Sequence, residues 1–315
     1  MPAHRAPIAA LRNGLLKASH VVEATLAGPR LRAQRSALTE EVVSALRTEG
    51  VYVTTVERLL GPAAAACREA MAAVTALVAD RDPDTSARWH PAAASTDLAP
   101  DELLARLPAL FLFGLDATML AIAEQYLRVP VAYHGAVLRH SRVDGRQVGP
   151  RRWHRDAEDF HVLRTVLYLS DVTEDGGPFE YVPRGLQARA SRAIGADGMC
   201  ADDQMAAHVP RESWKRCIGP AGTLVLADSA QVFHHESLQR DAPRSVLMMG
   251  HSSRRPRHPT LAQSHFPAHL HAAAIARLVP PSLHPVLFDW RRPELALPAE
   301  ASEPATTVLG DFMRG

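Results

Sequence analysis

The feature that most limits what this chain can fold into is a change of pattern after Val129. From there, short apolar runs at 131–138, 162–169, 179–182, 222–227, 232–236 and 245–250 are separated by Gly, Pro and Asp. Each run is too short for an ordinary helix and rich in Val, Leu and Tyr, which suits a pleated, half-buried surface. Several such strands with turn signals between them predict an all-β sandwich or barrel. Segment 186–216 interrupts the series. It is longer than a hairpin loop and is expected to be a lid, or an insertion with helices of its own.

The flanks read differently. Residues 38–48 place Leu38, Val42, Ala45 and Leu46 on one helical face, with Gly50 as a stop. A short β-branched run follows at 51–55, and Pro62 precedes an alanine-rich helix at 63–78. Residues 81–100 read as a loop, and 103–127 as helix with a break near Gly114. The organisation expected is one catalytic domain over 1–315. It has a mostly helical flank (1–129), a β core (130–252) with the insertion at 186–216, and a C-terminal region (253–315) with a helix near 270–278 and a weakly ordered tail at 300–315.

Composition excludes several classes. Lys+Arg at 35 against Asp+Glu at 34 leaves a net charge of +1, so no single-sign field argues for nucleic acid. No run has the length of uncharged residues that a membrane span needs, and the N-terminus lacks the apolar stretch of a secretory signal. Three cysteines (Cys67, Cys200, Cys217) make neither a disulfide framework nor a CxxC zinc site, and they suit the cytoplasm. Sixteen histidines are the remaining skew, and any bound metal is expected to take imidazole and carboxylate ligands. The partner expected is a small molecule; a monomer or homodimer is assumed.

A His-x-Asp/Glu pair is expected about once or twice by chance at this composition, and two occur: His154-x-Asp156 and His234-x-Glu236. On a strand, positions i and i+2 share a face, so His154 and Asp156 aim an imidazole and a carboxylate at one point. A third ligand from a distant strand would complete two histidines and one carboxylate, the set that leaves open positions on non-haem Fe(II). The candidates are His234 and His235, at the end of GTLVLADSAQVFHH (222–235). Ten residues after His234 comes Arg244, suited to pair bidentately with a carboxylate.

These residues carry a family resemblance. The His154-x-Asp156 pair, TVLYLSDVTEDGGPFEYVPRG (165–185), the GTLVLADSAQVFHH block with Arg244, and LRTEGVYVTTVERLLG (46–61) together resemble the phytanoyl-CoA dioxygenase family of Fe(II)/2-oxoglutarate-dependent oxygenases. The resemblance covers most of 38–252. It implies a double-stranded β-helix, the cupin-like jelly roll, mainly β with flanking helices. It implies His154, Asp156 and His234 as iron ligands, with His234 preferred to His235 because it follows an aromatic and stands ten residues before the arginine. It implies Arg244 on the distal carboxylate of 2-oxoglutarate, and O2 as the oxidant, with succinate and CO2 as co-products. Desaturation, epimerisation and cyclisation stay open beside hydroxylation. A carboxylate at position 156 argues against halogenation. Pro183-Arg184-Gly185 departs from the family pattern.

Two further residues are cofactor-binding candidates: Arg139, on an expected neighbouring strand, and Thr165, on the strand after His-x-Asp. Plainer readings attach to others. Trp153 is expected to pack, His161 to be a solvated loop residue, Arg151-Arg152 a solvated turn, and the histidines at 251, 258, 265, 269 and 271 a loose tail cluster.

Overall fold

The computed structural model describes residues 5–33, 35–79, 95–98, 100–195, 198–267 and 272–291. Most of the expected loop at 81–100 and the tail at 300–315 lie outside these residues, as do His269 and His271. Among the described residues, nine strands form two antiparallel sheets: β1 (Val51–Thr55), β2 (Ser95–Leu98), β3 (Val131–Ser141), β4 (Leu163–Tyr168), β5 (Phe179–Tyr181), β6 (Lys215–Cys217), β7 (Thr223–Asp228), β8 (His234–Glu236) and β9 (Arg244–Ser253). The larger sheet has the order β1-β7-β4-β9-β3-β2, and the smaller β6-β5-β8.

The central strands are buried on both faces, and alternation sorts their side chains. Leu163 and Leu167 of β4, Leu224 and Leu226 of β7, and Leu247 and Met249 of β9 enter one core with the helices. Val166 and Tyr168, Val225 and Ala227, and Val246 turn the other way, onto Phe179, Tyr181 and Cys217 of the smaller sheet. The molecule is therefore helices on a six-stranded sheet on a three-stranded sheet, with a chamber between the sheets.

Helix Ala37–Thr48 starts at a capping box, where Thr39 N donates to Ser36 Oγ at 3.2 Å and Ser36 N to Thr39 Oγ1 at 2.9 Å. It buries Thr39, Val42, Val43 and Leu46, then ends before Gly50 at φ +87°. Beyond the flank helices expected from sequence, a 29-residue helix spans Arg5–Ala33. The break near Gly114 is present, between Pro108–Leu112 and Ala117–Leu127. A Cβ on Gly114 would lie 2.2 Å from the Tyr133 ring, so only glycine lets the chain pass there. No single helix among the described residues is long and apolar enough to cross a membrane.

Strand β3 carries a register shift between Tyr133 and Ala136. At the shift Gly135 has φ +96°, and a Cβ there would stand 2.3 Å from the His265 carbonyl oxygen. The bulge lets the C-terminal segment lie against the strand and present His265 to the chamber.

The insertion at 186–216 is docked on the molecule. Trp153 and Cys200 exchange backbone hydrogen bonds at 2.9 and 3.0 Å. Ala190, Met205, Val209 and Trp214 form a separate apolar cluster with Trp153, Val182 and Phe233. Among the described residues, none of 186–216 lines the cavity described below.

Candidate metal centre

His154 and His234 come together because their backbones form an antiparallel bridge, each N–H donating to the other's carbonyl at 3.0 Å. Asp156 N donates to Ser229 O at 2.9 Å, which fixes the carboxylate two residues further on. One ligand atom each from His154, Asp156 and His234 lies within 4.8 Å of the others. His154 Nε2 is 3.8 Å from Asp156 Oδ1.

Both imidazoles are oriented the same way. His154 Nδ1 donates to Arg152 O at 2.7 Å and His234 Nδ1 to Val232 O at 3.1 Å. A ring nitrogen facing a carbonyl must carry the proton, which leaves each Nε2 as a lone-pair donor turned to the cluster. His234 also stacks on Phe179, with ring centroids 5.1 Å apart. Burial lowers the His234 pKa to about 3, His154 adds to this, and Asp156 opposes it, so the ring is neutral, the form a metal requires.

Alternation on β8 separates the two adjacent histidines. His234 faces the chamber, and His235 faces the opposite side. There its Nδ1 meets Arg151 O at 3.0 Å, its Nε2 meets Glu180 Oε2 at 2.8 Å, and its ring stacks on Trp153 at 4.0 Å. Both nitrogens of His235 are occupied and neither points to the cluster.

Asp156 has a partner that sequence reasoning missed. Arg164 on β4 donates through Nε at 3.0 Å and Nη2 at 2.6 Å to Asp156 Oδ2, and Nη2 also reaches Glu158 Oε1 at 2.6 Å. Oδ1 is left for the cluster. Burial works to raise the Asp156 pKa, but Arg164, His234, His154 and the Ser229 hydroxyl together hold it well below the ordinary carboxylate range. The signal in the sequence was an arginine inside the apolar run VLRTVLYL, a buried charge in need of a partner.

The cluster opens on a cavity of about 200 Å³. Its walls include Val166, Met248 and Phe179, and Arg139, Arg164, Arg244 and Glu236 bring charge to it. Arg244 is on the inner face of β9, as Val246 and Met248 are, and is 4% exposed. It is already engaged. Its Nη2 meets Glu236 Oε2 at 2.7 Å and its Nη1 donates to the Gly177 carbonyl. Its Nε is buried with no acceptor among the described residues.

The other two cofactor-binding candidates fare differently. Arg139 does line the cavity, but Nε and Nη2 are held by Asp97 at 2.7 Å each, across the β2–β3 pair. Thr165 is misplaced for the role expected of it. It falls between Arg164 and Val166, which line the cavity, so it points into the helical layer with Leu163 and Leu167. Its Oγ1 is buried there without a partner among the described residues. The reason is the period of two: a strand offers the chamber either its even or its odd positions.

Three plainer readings also change. Arg151 is 1% exposed rather than solvated, donating to Arg142 O at 2.6 Å and approaching Glu236 Oε1 at 3.6 Å. His161 is half exposed, but its Nδ1 meets the buried Asp228 Oδ2 at 2.7 Å, which Tyr126 Oη also donates to at 2.5 Å. His265 is not part of a loose tail: it lines the cavity, and burial followed by Arg164 and Arg139 lowers its pKa to about 3.

No family model matches the chain, and no curated protein does. Solved structures do. EctD from S. alaskensis with bound Fe aligns at 19% identity over 72% of this chain and 80% of its own, with a TM-score of 0.48. The epimerase SnoN in complex with Fe3+, alpha ketoglutarate and nogalamycin RO aligns at 18% identity over 70% and 85%, with 0.49. HygX from Streptomyces hygroscopicus with nickel and 2-oxoglutarate bound aligns at 17% identity over 69% and 88%, with 0.47.

Proposed function

We propose that this protein is an Fe(II)- and 2-oxoglutarate-dependent dioxygenase of the phytanoyl-CoA dioxygenase type, built on a double-stranded β-helix. It hydroxylates a small organic molecule, a secondary metabolite or amino-acid derivative, with succinate and CO2 as co-products. The observation that carries this reading is the meeting of His154, Asp156 and His234 in a cavity that also holds a buried arginine, Arg244.

The residues fit such a metal. Two imidazoles and one carboxylate would hold the iron, the donor set of non-haem iron oxygenases. When bound, the iron supplies the oxidising chemistry. The chain supplies the rest. Arg152 O and Val232 O hold the two rings, Arg164 holds Asp156 by one oxygen, and Val166, Phe179 and Met248 give the chamber an apolar wall. Arg244 offers a buried guanidinium, whose Nε has no acceptor among the described residues, to the distal carboxylate of 2-oxoglutarate. The protein is taken to act in the cytoplasm, as monomer or homodimer, without nucleic acid or membrane.

The test is release of succinate and CO2 from 2-oxoglutarate with and without ferrous iron, with His154→Ala as control. Iron-dependent release that His154→Ala abolishes is the expected result; no release and no iron binding would sink the proposal. One observation favours a second reading. Arg244 is already paired with Glu236, as it would be in a metal-dependent jelly-roll enzyme or sensor that uses no 2-oxoglutarate. In that case, replacing Arg244 by Met would leave activity or metal sensing intact.

A further inference from the structure

We propose that Glu236 is a built-in competitor for the distal carboxylate of the co-substrate, so that 2-oxoglutarate enters by displacing it from Arg244. The proposal rests on the 2-oxoglutarate reading of the same cavity.

Glu236 follows His234 by two residues on β8, so its side chain hangs into the chamber on the same face as the metal cluster. Glu236 and Arg244 are 7% and 4% exposed, and Oε2 of one lies 2.7 Å from Nη2 of the other. The guanidinium best placed to receive a ligand's carboxylate therefore holds one from its own chain. A charge-assisted pair of this kind is among the stronger hydrogen bonds, and any incoming carboxylate must compete with it.

The two oxygens of Glu236 have separate partners. Oε1 accepts from Gln239 Nε2 at 2.6 Å and lies 3.6 Å from Arg151 Nε. Turning Oε2 away from Arg244 therefore leaves the anion paired at Oε1 rather than bare in a dry interior, the state that would be prohibitive. Arg244 in turn keeps a buried Nε–H without an acceptor among the described residues. Its internal partner does not saturate it. Release on one side and an unmet donor on the other make an exchange of carboxylates feasible without unfolding the site. Glu236 would then set the concentration at which 2-oxoglutarate binds, and would act only on acids long enough to reach Arg244.

The test is calorimetric titration of the full chain, loaded with Fe(II) under argon, with 2-oxoglutarate and separately with pyruvate, a 2-oxo acid without the distal carboxylate. Glu236→Gln keeps the side-chain shape and removes the charge. It is expected to bind 2-oxoglutarate roughly tenfold more tightly, with pyruvate binding unchanged. Glu236→Ala is the second arm: added acetate, filling the vacated place, is expected to weaken its 2-oxoglutarate binding and to leave the wild type unaffected. If the wild type binds 2-oxoglutarate and Glu236→Gln binds it no more tightly, the competitor role is overturned while the co-substrate reading stands. If wild type and variants all bind Fe(II) and none binds 2-oxoglutarate, that reading falls and the proposal with it.

Discussion

The two His-x-acid sequences of this chain, His154-x-Asp156 and His234-x-Glu236, are nearly the same pattern put to different use. Their histidines pair directly across an antiparallel bridge. Because the two segments run in opposite directions, the position two residues on leaves each histidine on opposite sides. One carboxylate therefore joins the histidines, braced by Arg164, and the other is carried off to Arg244. A local motif specifies which side chains share a face, and strand pairing decides what they meet.

The largest effect belongs to the first arm. His154→Ala should lower metal affinity by more than about 100-fold, measured by metal titration, because it removes a ligand rather than a supporting contact. An equal loss from Glu236→Ala would mean that the two arms are equivalent. Arg164→Met leaves the ligands in place but frees Asp156 to turn; a roughly 10–100-fold loss of metal affinity is expected in the same titration. His235→Ala should leave metal binding within a few-fold. It should cost about 1–3 kcal/mol of stability in urea unfolding, because Glu180 loses a buried partner.

A further effect is a pH dependence of stability, which leaves the metal ligands untouched. His251 and His265 have pKa values lowered to about 4 and about 3, chiefly by burial. Between those values and their unfolded values near 6.5, the unfolded chain binds more protons than the folded one. Stability therefore rises with pH across that window, and falls on acidification by up to roughly 1.4 kcal/mol per pH unit for each histidine. Chemical denaturation at pH 5 and pH 7 measures the slope, and His251→Gln should flatten it.

Much of this was legible beforehand. The strand runs at 131–138, 162–169 and 222–227 match β3, β4 and β7, because their apolar residues and turn signals are local properties. His154 and Asp156 were legible as a pair for the same reason. What stayed hidden depended on contacts far apart in the chain. Thr165 could not be assigned a face without the sheet, and Arg164 shows its role only against Asp156. The Glu236–Arg244 pair needs the smaller sheet to be folded over the larger. His265 reaches the chamber only because β3 bulges where Gly135 has no side chain.

That bulge has a consequence for how the protein can be shortened. The strands end at Ser253, which makes the following residues look dispensable. Yet the chamber takes one of its walls from His265, seated where no other residue than glycine would admit the backbone. A chain trimmed at the last strand would keep every metal ligand and lose one wall of the room in which they work.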